Sequence, residues 1–182
     1  MSRKYKFGDD SKLYFISFAV IQWIDLFVRK EYKDILISSW KYCVHEKGLE
    51  IYGWCIMTSH VHMIVGTKER PLEKIIGEMK SNTSRSLRKA IAEHPGESRR
   101  EWMLLMMQHA GLKNSNNNDW QLWQQHNHPI ELSSIEMFHQ KLKYIHMNPV
   151  EAGFVEHEED YLYSSAGDFY GKKGMIELSY VV

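Results

Sequence analysis

Two cysteines in 182 residues, Cys43 and Cys55, are too few for a disulfide framework, and they lack the paired spacing of a zinc cluster. So sparse a thiol content fits a reducing, cytoplasmic setting. An excess of charge of one sign is missing too, since 23 Lys plus Arg stand against 23 Asp plus Glu. The total therefore announces no polyanion partner, although a local basic face stays open because steering depends on how charge is distributed. Long hydrophobic runs are also absent. The strongest, Leu13–Ile24, contains Gln22 and is too short to cross a bilayer, so no membrane partner is expected. The charged start, MSRKYKFGDD, is followed by no small-residue cleavage site, and no signal peptide is expected. No Walker pattern and no internal repeat are visible, which argues against a nucleotide-binding loop and a solenoid.

What the chain does have is enough apolar and aromatic residue, 43% and 13%, to bury one core. A single domain over 1–182 is expected, with its core at about 10–170 and a tail at 171–182. KLYFISFAVIQWID (12–25) reads as a long first strand. KDILISSWKYCVHEKG (33–48) has apolar residues near helical spacing and stops at Gly48. LEIYGWCIM and HVHMIVG read as a strand pair joined through Thr58-Ser59. A helix follows Pro71, a shorter one spans RREWMLLMMQHAGLK, and NSNNND (114–119) is a polar loop. WQLWQQHNHPI (120–130) reads as a fourth strand, and SSIEMFHQKLKYIHMNP as a helix capped by Ser133 or Ser134 and stopped by Pro149. The tail MIELSYVV is strand-like and able to cover its own sheet or add to a neighbour's. The order β-α-β-β-α-(α)-β-α predicts an α+β fold: a ferredoxin-like antiparallel sheet with helices packed on one face.

Within this frame, WCIMTSHVHMIVG (54–66) places two histidines in an apolar strand. His60 and His62 share one face and Val61 takes the other, because side chains alternate along a strand. Two imidazoles on one face can ligate a divalent metal if a third ligand comes from elsewhere. Two ordinary histidines fit the same spacing. A second pair, His126 and His128, lies in a more polar run that ends at Pro129 and reads as structural. In KYIHMNPVEAGFVE, Tyr144 and Asn148 lie at i and i+4 and so on one helix face, while His146 points away. Asn offers a neutral carbonyl oxygen to a metal. Tyr offers a phenol whose free pKa of roughly 10 demands help before it attacks. Packing and capping would also suit a Tyr and an Asn near a helix end. Lys80, Arg85, Arg88 and Lys89 fall on or near one helix, followed by Arg99 and Arg100. They read as phosphate contacts or as a solvated face. Trp120, Trp123 and Tyr52 are candidates for stacking on bases, with core packing as the other reading.

GWCIMTSHVHMIV and KYIHMNPVEAGFVEHEEDYLYSS together resemble the single-tyrosine HUH transposases, in particular the REP-associated tyrosine transposases related to the insertion sequence 200-like enzymes. The basic MKSNTSRSL after the histidines and WQLWQ before the tyrosine helix follow the same order, over roughly residues 10–170. The resemblance implies a ferredoxin-like, RRM-related fold and metal-dependent cleavage of single-stranded DNA with strand transfer through a 5′-phosphotyrosine. It implies Mg²⁺ or Mn²⁺ on His60 and His62 with Asn148 as third ligand, and Tyr144 as nucleophile. The implied partner is single-stranded DNA, a hairpin or palindromic repeat, and a homodimer is within the family's range. Thr58-Ser59 stands where many relatives have Pro-Asn, and Glu151 where they usually carry Arg, a lost positive charge that bears on DNA affinity. A module of this fold that binds single strands without cutting is the alternative. So is a domesticated relative that processes host DNA.

Overall fold

The first strand, β1 (Tyr14–Ala19), ends sooner than its composition suggests. Its neighbour β3 (His60–Thr67) begins at His60, which pairs with Ala19, so the ladder partner runs out there. Beyond it the chain turns through Gln22 (φ 51°) and Trp23 (φ 55°), and Val20 donates instead to the carbonyl of Ser59. The computed structural model describes residues 7–114, 119–125 and 127–181. The expected roles of His126 and of most of the NSNNND loop lie outside them.

β2 (Leu49–Ile56) and β3 form the expected hairpin, closed by the Met57 N–H donating to the carbonyl of His60. The sheet order is β2-β3-β1-β4, with all pairs antiparallel. β4 is only Ile130–Glu131, although a strand over 120–130 was expected. His128 at φ 42° and Pro129, which has no N–H, break the ladder, leaving a single bridge from Trp123 to Val20 upstream.

α1 (Lys30–Lys47) ends on Gly48, whose φ of 71° suits the left-handed cap position. α2 (Leu72–Glu93) buries Leu72, Ile75, Ile76, Met79, Thr83, Leu87 and Ile91 on one stripe. These two helices cover the sheet face formed by Tyr14, Ile16, Phe18, Val61, Met63 and Val65. α3 (Arg100–Leu112) joins the same layer through Met103 and Met107.

α4 (Ile135–Glu151) departs from the expected one-sided arrangement. Its Phe138, Leu142 and Ile145 pack on the opposite face, against Phe15, Cys55 and Ile64. Ser134 caps it by accepting from Met137, and Pro149 lies inside its last turn rather than ending it. Gly53 permits the approach, since a Cβ there would lie 2.5 Å from Leu142 Cδ1.

The tail is not a strand. Ser179 donates to Ile51 of edge strand β2, Ile176 and Leu178 join the core, and residues 163–165 bond to β2 between Trp54 and Ile56. The tail thus covers its own sheet edge. α5 (Ala166–Phe169) is a short turn of helix between these segments. Among the described residues, no helix is long and apolar enough to cross a membrane.

Candidate active site

Alternation along β3 sends His60 and His62 to the face covered by α4, and Val61 into the core behind them. Their partners on β1 are Ala19 and Ser17, side chains small enough to leave room above the sheet. The two imidazoles stand edge to face with centroids 4.8 Å apart.

The turn before His60 is tied down. Thr58 Oγ1 donates to Asp25 at 2.6 Å, the Phe27 N–H donates to the carbonyl of Thr58, and Ser59 Oγ lies 3.2 Å from His60 Nδ1. The Thr58-Ser59 pair thus positions the first histidine. Burial holds His60 below its ordinary pKa. It pushes His62 down to about 3, helped by His60 and the Lys141 ammonium and opposed by a hydrogen-bonding approach of the Asn148 side chain. His62 is 5% exposed, and among the described residues its ring nitrogens make no well-formed hydrogen bond, the Asn148 side chain being the polar group that acts on them. A neutral imidazole buried with both nitrogens unpaired is costly in a protein interior unless something accepts its lone pair.

α4 brings Tyr144 over this pair. Its ring is 5.2 Å from that of His62 and 5.9 Å from that of Phe15, which itself stacks on His62 at 5.6 Å. The phenol is 43% exposed, so the ring touches the site while part of it faces solvent. One turn along, the Asn148 amide nitrogen donates to the Tyr144 carbonyl at 2.6 Å. That bond occupies one N–H and leaves the amide oxygen facing the His62 ring on which it acts, where it could also ligate a cation. Lys141, which sequence reasoning passed over, lies one turn before Tyr144. Its ammonium is 4.9 Å from the Phe15 ring centroid and 5.7 Å from that of Tyr144. The only sequence signal was its i−3 position, which puts it on the tyrosine's face.

Among the described residues, no three His, Cys, Asp or Glu side chains cluster as a metal site. A cation here would depend on two imidazoles and a neutral amide. The orphaned nitrogens of His62 fit that role.

The other candidate residues are not brought to this site. α2 lies behind the sheet. Its Arg85, Arg88 and Lys89 are exposed on the outer layer, Arg88 with its guanidinium 4.6 Å from the Trp120 ring. Lys80 is engaged within the fold, bonding Asn127 Oδ1 at 2.6 Å and the Gln124 carbonyl, and burial lowers it to about 8. Trp123 is core, packed on Phe18 and Phe27 and donating to Thr83. Tyr52 bonds Glu50 beside Phe138. Arg99 is held by Glu97 and by the Asp25 carbonyl, and Arg100 by the His94 carbonyl. His146 is buried against Ser165, outside the site as expected.

Residues 20–103, which include the histidine strand, match the family model described as Transposase IS200 like. The whole fold is similar to a solved REP-associated tyrosine transposase bound to a REP hairpin. That similarity has a TM-score of 0.66 at 14% identity and covers 100% of this chain and 94% of the other. At that identity the likeness speaks for the fold. No match was found among curated proteins.

Proposed function

We propose that this chain, which carries the IS200-like transposase match over residues 20–103, cuts single-stranded DNA and transfers the strand through a covalent bond to Tyr144. The observation that carries this reading is the contact within one chain between the Tyr144 ring and His62, whose buried nitrogens make no well-formed hydrogen bond among the described residues and face Asn148. A divalent cation, Mg²⁺ or Mn²⁺, held by His60, His62 and Asn148 would supply Lewis acidity toward an oxygen of the scissile phosphate.

The chain's own groups do the rest. The depressed basicity of His62 keeps the imidazole neutral at physiological pH and so available as a ligand. Ser59 holds His60 by Nδ1, which leaves Nε2 for ligation. The Lys141 ammonium, 5.7 Å from the Tyr144 ring centroid, puts a positive charge beside the ring that would meet the anionic phosphate. Tyr144 Oη then forms a bond to phosphorus, the bond from phosphorus to the 3′ oxygen breaks, and the proton lost by the phenol ends on the released 3′-hydroxyl. One phosphodiester replaces another, so a 3′-hydroxyl can attack in reverse and rejoin strands without ATP. The preferred DNA class is a single strand presented beside a hairpin, as in the REP hairpin bound by the structurally similar transposase.

The test is incubation with circular single-stranded phage DNA and Mn²⁺, read as linearised DNA and as a protein–DNA adduct that survives detergent. The unaltered chain should form the adduct, whereas Tyr144→Phe, His60→Ala and chelator should each abolish it. An adduct retained by Tyr144→Phe would remove Tyr144 from the account. Retarded DNA with no adduct under any condition would favour the binding-module reading.

A further inference from the structure

We infer that Trp23 is a nucleobase-stacking subsite, receiving the base of the nucleotide that leaves with the free 3′-hydroxyl. The inference rests on the reading of His60, His62 and Tyr144 as a DNA-cutting centre. Trp23 is 57% exposed, and its ring stands edge to face against His60 with centroids 5.3 Å apart. It therefore ends a row of rings that continues through His60 and His62 to Tyr144.

The indole is not loosely placed. Trp23 and Gln22 hold φ of 55° and 51°, a region that side chains other than glycine seldom occupy. Such a conformation persists only where the surroundings impose it. Here Ile21 and Ile24 are buried on either side, the Ile21 N–H donates to Leu122, and the Trp23 N–H donates to Val20. A large apolar ring is thus presented to solvent from a rigid turn beside a candidate phosphate site. Stacking on a base needs that arrangement, and it is tolerant of sequence because every base has a π-face.

The direction follows from the chemistry. In an in-line displacement the attacking and leaving oxygens lie on opposite sides of phosphorus. Tyr144 attacks from one end of the row, so the departing nucleoside lies toward the other, where Trp23 stands. Holding that base also keeps the 3′-hydroxyl near the phosphotyrosine for the reverse step.

The experiment uses the full chain carrying Tyr144→Phe, with Mn²⁺, so that binding is measured without cleavage. A fluorescein-labelled oligo(dT) of about 20 nucleotides is the probe, read by anisotropy. Adding Trp23→Ala should weaken binding by about 5- to 100-fold. Trp23→Phe should restore most of it. The slope of log affinity against log salt should not change, because stacking releases no counterions. Trp23→Gly, which suits the positive φ, should bind as weakly as Trp23→Ala without lowering Tm.

Once the cut site of the unaltered chain is mapped, an abasic residue on its 5′ side should cost the Trp23 protein the same factor and cost the Trp23→Ala protein nothing. Trp23→Ala binding within about twofold of its parent, Trp23→Phe no better than Ala, or no binding of the probe by the parent would overturn the inference. So would an equal penalty from an abasic residue on the 3′ side. Failure of the cleavage reading is seen separately, as absence of adduct from the unaltered chain. A Trp23-dependent affinity would then belong to a module that binds without cutting.

Discussion

His62 and His146 lie equally deep, at 5% and 6% exposure, and burial lowers both, to about 3 and about 4. Their surroundings differ. His146 has Ser165 Oγ at 2.9 Å from Nε2, and that hydroxyl also accepts from the Trp54 N–H. His62 has ring neighbours on three sides and, among the described residues, no well-formed hydrogen bond at either nitrogen, with Asn148 as its nearest polar influence. In the first region the buried imidazole is answered by a hydroxyl, as buried polar groups generally are. The other leaves an imidazole without a well-formed hydrogen bond, paired in register with Ser17, beside an exposed phenol and an ammonium. The first pattern serves stability. On the proposed function, the second gives up stability for a site that binds a cation.

Charges behave like His146. Burial alone would push the Glu97 carboxyl up, but hydrogen bonds from Arg99 and Arg29 outweigh it and hold the group at about 2. A folded pKa below the usual carboxylate value of about 4.5 contributes stability above that value, which is lost as pH falls toward about 2. Glu97→Gln should therefore cost about 3 kcal/mol at neutral pH by leaving two guanidinium groups without their counter-charge. It should also flatten the fall in Tm between those pH values. A variant that melts like its parent at every pH would show that this cluster is not part of the satisfied interior.

The contrast between the histidines predicts opposite signs for one substitution. His146→Leu should lower stability by about 1 kcal/mol, the value of a lost buried hydrogen bond. His62→Leu should raise it by about 1–2 kcal/mol, because an unpaired polar group is replaced by an apolar one of similar size. Thermal melts without divalent metal check both, and destabilisation by His62→Leu would mean that His62 is satisfied after all. The smallest effect is expected at Gly53, where a Cβ would press on Leu142 and tilt the helix that carries Tyr144. Gly53→Ala should cost about 1 kcal/mol and slow adduct formation by roughly tenfold at most. An unchanged rate would separate the seating of α4 from the chemistry.

The parts of this site that follow short-range rules were legible in the sequence. Alternation along a strand put His60 and His62 on one face, and the i,i+4 relation put Asn148 beside Tyr144. The antiparallel sheet, α1 and α2 were legible for the same reason, as runs of one period with their own stops. What depends on distant partners was hidden. The long apolar run through Trp23 continues a strand's composition past the residue where β3 ceases to pair with it, so the exposed indole was read as strand. Lys80 looks like its neighbours on α2, yet residues 124 and 127 claim its ammonium. The amphipathic pattern of α4 promised a buried stripe without naming the face of the sheet that would bury it, and that face decides whether the tyrosine meets the histidines.

The most direct test is the stoichiometry of Mn²⁺ bound per chain, measured by the loss of the free-ion electron paramagnetic resonance signal on titration. One ion should bind to the unaltered chain, to His146→Leu and to Tyr144→Phe, and none at the same concentrations to His62→Leu. Equal binding by His62→Leu, or no binding by the unaltered chain, would contradict the claim that this imidazole is left unpaired to hold a cation.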